Sequence, residues 1–334
     1  MEWYLPVIWA GLIGTAVMLY VVLDGFDLGI AILFPTTRDE GERDQMMNSV
    51  APFWDGNETW LVLGGGGLFV AFPMAYSIVM PAVYLPVLIM LLALVFRGVA
   101  FEFRWVAKPN HQMWDLAFAG GSIVASFMQG IILGALLQGP AVTGTAFSGG
   151  TFDWLSAFSI LTGIGVVAGY ALIGATWLVM KTDGEVQARA RHYAKFLLPA
   201  VLAVLAIVSL WTPLAIPRIF ERWFSLPNFF LLLPVPLLTA YAAWMCWSGL
   251  EKGHDTQPFV STIAIFLLGF LGLGISNVPY IVPPSVDIWQ AAAHPSSQLF
   301  MLIGVLILLP VILAYSAFVY HTFRGKVRHG EGYH

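Results

Sequence analysis

Apolar runs of about twenty residues recur along the chain, separated by short polar turns. Each is long enough to cross ~30 Å of hydrocarbon as a helix rising ~1.5 Å per residue. Nine can be marked, at about 6–33, 51–71, 75–103, 112–138, 155–181, 192–213, 226–249, 257–281 and 296–323. A bilayer offers no water to unpaired backbone groups, so runs of this length must form helices. The expected fold is all-α and polytopic, a single integral membrane domain over residues 1–334. Composition agrees: 59% of the residues are hydrophobic and 10% are charged, against about 25% charge in a soluble domain. The second run is the marginal one, because it holds "LGGGGLF". Pro73, Pro140 and Pro217 fall between runs, whereas Pro81, Pro86, Pro234 and Pro236 fall inside them. No cleavable signal peptide, internal repeat or linker is expected.

The charges exclude some functions and orient the rest. A net charge of −4 argues against nucleic acid as a partner, and the single cysteine, Cys246, excludes an internal disulfide. Thirteen basic residues fall on one side of the nine runs, among them Arg38, Arg43, Arg97, Arg104 and Lys108, and only Arg218 and Arg222 fall on the other. Basic residues concentrate on the cytoplasmic side of membrane proteins. The amino terminus is therefore expected outside and the carboxyl terminus inside, with segments 34–50, 104–111, 182–191 and 250–256 as cytoplasmic loops.

Within this apolar background, "DGFDLGI" at 24–30 places Asp24 and Asp27 inside the first run, about 10 Å short of its inner end. A carboxylate there costs roughly 2.5–3.5 kcal/mol on insertion scales. "PFWDGNETW" at 52–60 adds Asp55 and Glu58 at the inner start of the second run. Neighbouring carboxylates in a low dielectric cannot all ionise together, and groups that take up and release protons are what a proton relay needs. Arg97 and Arg104, with Glu102 between them, stand at the inner end of the third run as charge partners. A structural reading remains beside the functional one: the acids cap helix starts or form ion pairs, and "WDGNE" suits a helix start with Asp55 accepting backbone N–H bonds.

Other features carry less. "GGGG" at 64–67 lacks a following Gly-Lys-Ser/Thr, so close helix approach is the better reading than a phosphate loop. Most of the thirteen tryptophans read as interfacial anchors or core; Trp54 and Trp60, flanking the acid pair, are the two to associate with a bound ring or a gas route. His111, His192, His254, His294, His321, His329 and His334 all fall in loops, in tails or near the ends of runs. An intramembrane haem usually takes a helical histidine, so this chain is expected to ligate no haem or metal alone.

"LDGFDLGI", "APFWDGNETWL", "GGGGLFVAFP" and "LVFRGVAFEFR" together resemble subunit II of the cytochrome bd quinol oxidases. "VPYIVPPSVDIWQAAAHPSSQ" with "LLPVILAYSAFVY" is similar to the cyanide-insensitive branch. The resemblance runs nearly end to end. It implies nine helices in two four-helix bundles plus a peripheral helix, in a bacterial inner membrane. It implies a haem-bearing subunit I carrying haems b and d and the quinol-oxidising loop, and in some members a small single-span subunit or a structural quinone. The complex would oxidise quinol and reduce oxygen to water with cytoplasmic protons. Acids at Asp24, Asp27 and Asp55 match the family pattern, Glu58 stands where other members carry glutamine, and Ala31 departs from a common nearby glycine. The alternatives from other classes are a proton-coupled secondary transporter and a purely structural assembly subunit.

Overall fold

The computed structural model describes residues 3–107, 111–328 and 330. Lys108, His329 and His334, counted above, lie outside the described residues. The helices follow in the order α1 (Tyr4–Leu33), α2 (Glu40–Asn48), α3 (Trp54–Ala71), α4 (Pro73–Ala82), α5 (Tyr84–Val106) and α6 (Gln112–Gln138). A small hairpin, β1 (Val142–Thr143) and β2 (Ala146–Phe147), leads to α7 (Ala157–Lys181), α8 (Gly184–Ala215), α9 (Pro217–Phe224), α10 (Asn228–Leu232), α11 (Pro234–Lys252) and α12 (Gln257–Asn277). A second hairpin, β3 (Tyr280–Val282) and β4 (Val286–Asp287), precedes α13 (Pro295–Thr322). Both hairpins are antiparallel, with Val142 opposite Phe147 and Val282 opposite Val286.

Long helices α1, α3, α5 and α6 pack as one bundle, and α7, α8, α11 and α12 as a second. The two share a face along α1–α7 and α6–α7. Outside both lies α13, whose buried residues are Gln298 and Leu302. Glycines set the closest approach between bundles. A Cβ on Gly29 would sit 1.8 Å from the Tyr170 carbonyl oxygen, and one on Gly174 would sit 2.4 Å from the Gly29 carbonyl carbon. Backbones therefore touch where α1 crosses α7, just beyond Asp27. The "GGGG" stretch splits in two. Gly64 and Gly67 face Val17 and Ile13 of α1, which fits the close-approach reading, whereas a Cβ on Gly65 or Gly66 would meet nothing within 4 Å.

Proline chemistry explains the departures from the expected runs. The run at 75–103 breaks at Val83, because Pro86 has no N–H for the Ala82 carbonyl and its ring clashes with it. Likewise 226–249 breaks at Leu233, where Pro234 and Pro236 withdraw two N–H donors within three residues. The run at 257–281 stops at Asn277, since the residue before Pro279 disfavours the helical region, and Tyr280 already begins β3. Segments 34–50 and 182–191 are not simple loops. The first contains α2, whose N-cap Asp39 accepts from the Glu42 N–H, and the second supplies the first turns of α8. Eight of the helical stretches are long and apolar enough to cross a membrane. α3, 18 residues long, is not one of them, because it carries two acids and four glycines.

Two polar clasps fix the ends of α13. At one end the Ala71 carbonyl, exposed by the stop before Pro73, accepts from Ala293 N–H at 2.9 Å and Gln298 Nε2 at 3.0 Å. At the other, Lys181 Nζ donates to the Phe323 carbonyl and to that of Gly325 at 3.0 Å, while Gln45 Nε2 donates to the Val327 carbonyl at 2.8 Å. The segment after α13 thus ties α2 to α7.

Candidate functional site

Asp24 and Asp27 lie on the buried stretch of α1, one turn apart, and face different neighbours. Arg97 of α5 brings both terminal nitrogens to one Asp24 oxygen, Nη1 at 2.6 Å and Nη2 at 2.7 Å from Oδ1. Its Nη2 also lies 3.6 Å from Glu58 Oε2, on the partly exposed start of α3. The Trp54 ring lies 5.7 Å from the Arg97 guanidinium carbon and stacks on Phe101 at 5.0 Å, a cation–π contact within the usual range. Arg97 is 2% exposed and Asp24 0%, so the pair has no solvent to fall back on.

Asp27 turns to α3 instead. Asn57 Nδ2 donates to Asp27 Oδ2 at 2.8 Å and to the Leu23 carbonyl at 3.2 Å. The Tyr320 hydroxyl donates to Asn57 Oδ1 at 2.8 Å. Asp24 Oδ2 and Asp27 Oδ1 are buried and accept no hydrogen bond among the described residues. A carboxylate can accept from several donors at once, so each acid here keeps one oxygen on which a proton can be exchanged.

A hydrogen-bonded thread leads from this cluster toward the second bundle. The Tyr170 hydroxyl donates to Gln129 Oε1 at 2.7 Å, and Gln129 Nε2 donates to the Tyr20 oxygen at 2.7 Å. Tyr20 lies one turn before Asp24 on α1. Three helices, α7, α6 and α1, contribute one member each.

The remaining expected site residues separate from this cluster. Arg104 does not neutralise the four acids. Its Nε donates to Asp115 Oδ1 of α6 at 2.6 Å and its Nη1 to Asp44 of α2. Arg43 Nη1 donates to the other Asp115 oxygen at 2.7 Å, and His111 Nε2 lies 3.6 Å from it. This second cluster clamps α2 against α5 and α6. Glu102, expected as a partner of the arginines, points to the exposed side of α5, because two residues' offset on a helix turns it away from the buried Arg104. Asp55 lies in the first turn of α3 and is exposed, while Glu58 is partly buried. The N-cap position belongs to Phe53 and no side chain caps it, so Asp55 does not cap the helix; its charge there suits the helix dipole.

Trp60 is buried with Ala16 and Tyr20 and lines an apolar cleft between α1, α3 and α13 with Trp9, Ile13, Val305 and Leu309. His111, His254 and His294 flank helix ends, His192 lies near the start of α8 and His321 in the last turn of α13. No group of three or more His, Cys, Asp or Glu among the described residues is arranged for a metal ion.

Sequence reasoning misses Asn57, Tyr320, Tyr20, Gln129 and Tyr170, and the clamp residues Asp44 and Asp115. Gln129 had a usable signal, an amide in the middle of an apolar run. Asn57 had one too, between the two acids of "DGNE". Tyr320 had none, since its partner lies 263 residues away.

The family described as cytochrome bd terminal oxidase subunit II matches residues 5–323. The chain is 30% identical over 365 residues to cytochrome bd-I ubiquinol oxidase subunit 2 of Escherichia coli K12, covering 96% of this chain and 94% of that one. It is 29% identical over 340 residues to cytochrome bd ubiquinol oxidase subunit 2 of Bacillus subtilis 168, covering 97% of each. Its fold is similar to a chain of the bd oxidase from Geobacillus thermodenitrificans, with a TM-score of 0.74 at 16% identity, over 96% of this chain and 98% of that one.

Proposed function

The chain belongs to the cytochrome bd terminal oxidase subunit II family, and on that premise we propose that it holds the haem-bearing subunit I of a bd-type quinol oxidase and lines the route by which protons reach it. The complex takes electrons from quinol and reduces oxygen to water in the bacterial inner membrane, the haems b and d residing in subunit I. The nine-span topology includes α3, with the amino terminus periplasmic and the carboxyl terminus cytoplasmic, following the thirteen-to-two distribution of basic residues. Bond-making chemistry stays in subunit I; this chain moves protons and keeps helices in place.

The observation that carries the reading is a pair of buried carboxylates, Asp24 and Asp27, each with one oxygen engaged and one without a partner. Intramembrane acids of this kind mark proton pathways by default. Asp55 and Glu58, more exposed at the same end of α3, form the mouth of the route, and Arg97 balances the charge of Asp24 when it is ionised. Trp54 holds the Arg97 face, and the cleft beside Trp60 is apolar enough for oxygen or a quinone tail. Quinol-driven oxygen uptake per haem in Asp27→Asn tests the reading. The substitution keeps the shape and removes the titratable proton. Uptake should fall while haem content stays near wild type, and wild-type uptake would reject the proton role.

A further inference from the structure

α13 reaches the acid cluster through Tyr320, and that contact fixes which way a buried amide points. Tyr320 stacks on Phe53 at 4.5 Å, and its hydroxyl donates to Asn57 Oδ1. An asparagine side chain has one accepting oxygen and two donor hydrogens. In Asn57, itself buried, the oxygen is taken by Tyr320, and the nitrogen is shared between Asp27 Oδ2 and the Leu23 carbonyl. A rotated amide would set its oxygen against two acceptors. With Asn57 held, Asp27 Oδ2 always receives a donor and Oδ1 alone remains open for a proton. Three charged groups act on Asp27 from the surrounding elements: Asp24 on α1, Glu58 on α3 and Arg97 on α5. Tyr320 adds no charge to this set. What it adds is orientation.

We propose that Tyr320 is a positioning residue of the proton site, locking the Asn57 amide that presents Asp27 and so making proton exchange depend on how the end of α13 is seated. That seating is itself held by the Lys181 and Gln45 clasp on residues 323–327. The inference rests on the proton role of Asp27 proposed above.

The test is a double-mutant cycle in the assembled oxidase: wild type, Tyr320→Phe, Asp27→Asn and the double variant. Quinol-driven oxygen uptake per haem is measured across pH. Tyr320→Phe keeps the ring on Phe53, so haem content should match wild type. Its turnover should fall about fivefold, the order expected from one hydrogen bond, with a shifted pH profile. In the Asp27→Asn background the same change should add nothing, because both act through one group. Losses that multiply in the double variant would overturn the proposal, as would wild-type turnover and pH profile in Tyr320→Phe. A Tyr320→Phe complex that fails to load haem would also overturn it, by showing that the hydroxyl holds the fold. Slow Asp27→Asn beside normal Tyr320→Phe would sink only the role of Tyr320, whereas normal Asp27→Asn would sink both readings.

Discussion

Arg97 and Arg104 sit two turns apart on α5, both sealed from solvent, and they meet acids in opposite ways. At Arg104 both carboxylate oxygens are engaged: Asp115 gives one to Arg104 and the other to Arg43, with Asp44 on Arg104 Nη1, and Arg104 Nη2 is left without a partner among the described residues. At Arg97 they are not. Both guanidinium nitrogens crowd one oxygen of Asp24, the second oxygen has no partner among the described residues, and Asp27 next to it is left the same way. A buried carboxylate engaged on both oxygens holds helices and offers a proton no open oxygen. One with an open oxygen exchanges a proton without first breaking a bond. The two arrangements sit at different depths along one helix, the outer one an ion-pair clamp and the inner one the site proposed above for proton exchange.

Breaking the outer cluster should give the largest effect. Arg104→Leu strands Asp115 and Asp44 without their main cation, and removing one partner of a buried pair costs on the order of 3–5 kcal/mol. Most of the assembled, haem-loaded complex should be lost, and the fraction that survives should turn over at the wild-type rate per haem. A normal yield would remove the distinction between the two arginines.

A smaller effect is expected where the backbones touch. Gly29→Ala would place its Cβ 1.8 Å from the Tyr170 carbonyl, so α1 and α7 must separate, at a cost of roughly 1–3 kcal/mol. The temperature at which the complex loses its haem spectrum should drop, and turnover should drop with it because Asp24 and Asp27 ride on the displaced helix. Unchanged turnover in a destabilised complex would show that the inner acids tolerate misplacement.

Asp55→Asn should do least to stability, within about 0.5 kcal/mol for an exposed side chain. Its turnover loss should be smaller than that of Asp27→Asn, since on the proposed route neighbouring Glu58 would also serve the mouth. A loss as large as that of Asp27→Asn would move the critical proton step outward to the surface of α3.

The uneven legibility of these two sites has a physical basis. Asp24, Asp27 and Arg97 stand out in the sequence because a charge inside an apolar run is costly and needs a reason. Arg104 stands out at the end of its run, but the sequence does not say which acid it meets; Asp44 looks like an ordinary polar residue of a connecting segment, and Asp115 like one at the start of a run, until α2 folds back beneath α5 and α6. The helices themselves are legible from apolar length, whereas the breaks at Val83 and Leu233 depend on where each proline falls relative to the carbonyl it would need to pair with. Tyr320 is hidden for another reason. It reads as one more aromatic near the end of a lipid-facing run, and only the packing of Phe53 turns its hydroxyl toward Asn57.

The difference between the two clusters reduces to one paired measurement, in which Asp27→Asn and Asp115→Asn are each scored for haem-loaded yield and for quinol-driven oxygen uptake per haem. Asp27→Asn should keep its yield and lose uptake, while Asp115→Asn, which leaves Arg104 and Arg43 facing a neutral amide, should lose yield and keep uptake. If both variants fall in the same column, yield alone or uptake alone, the inner and outer acids do one job and the account is wrong.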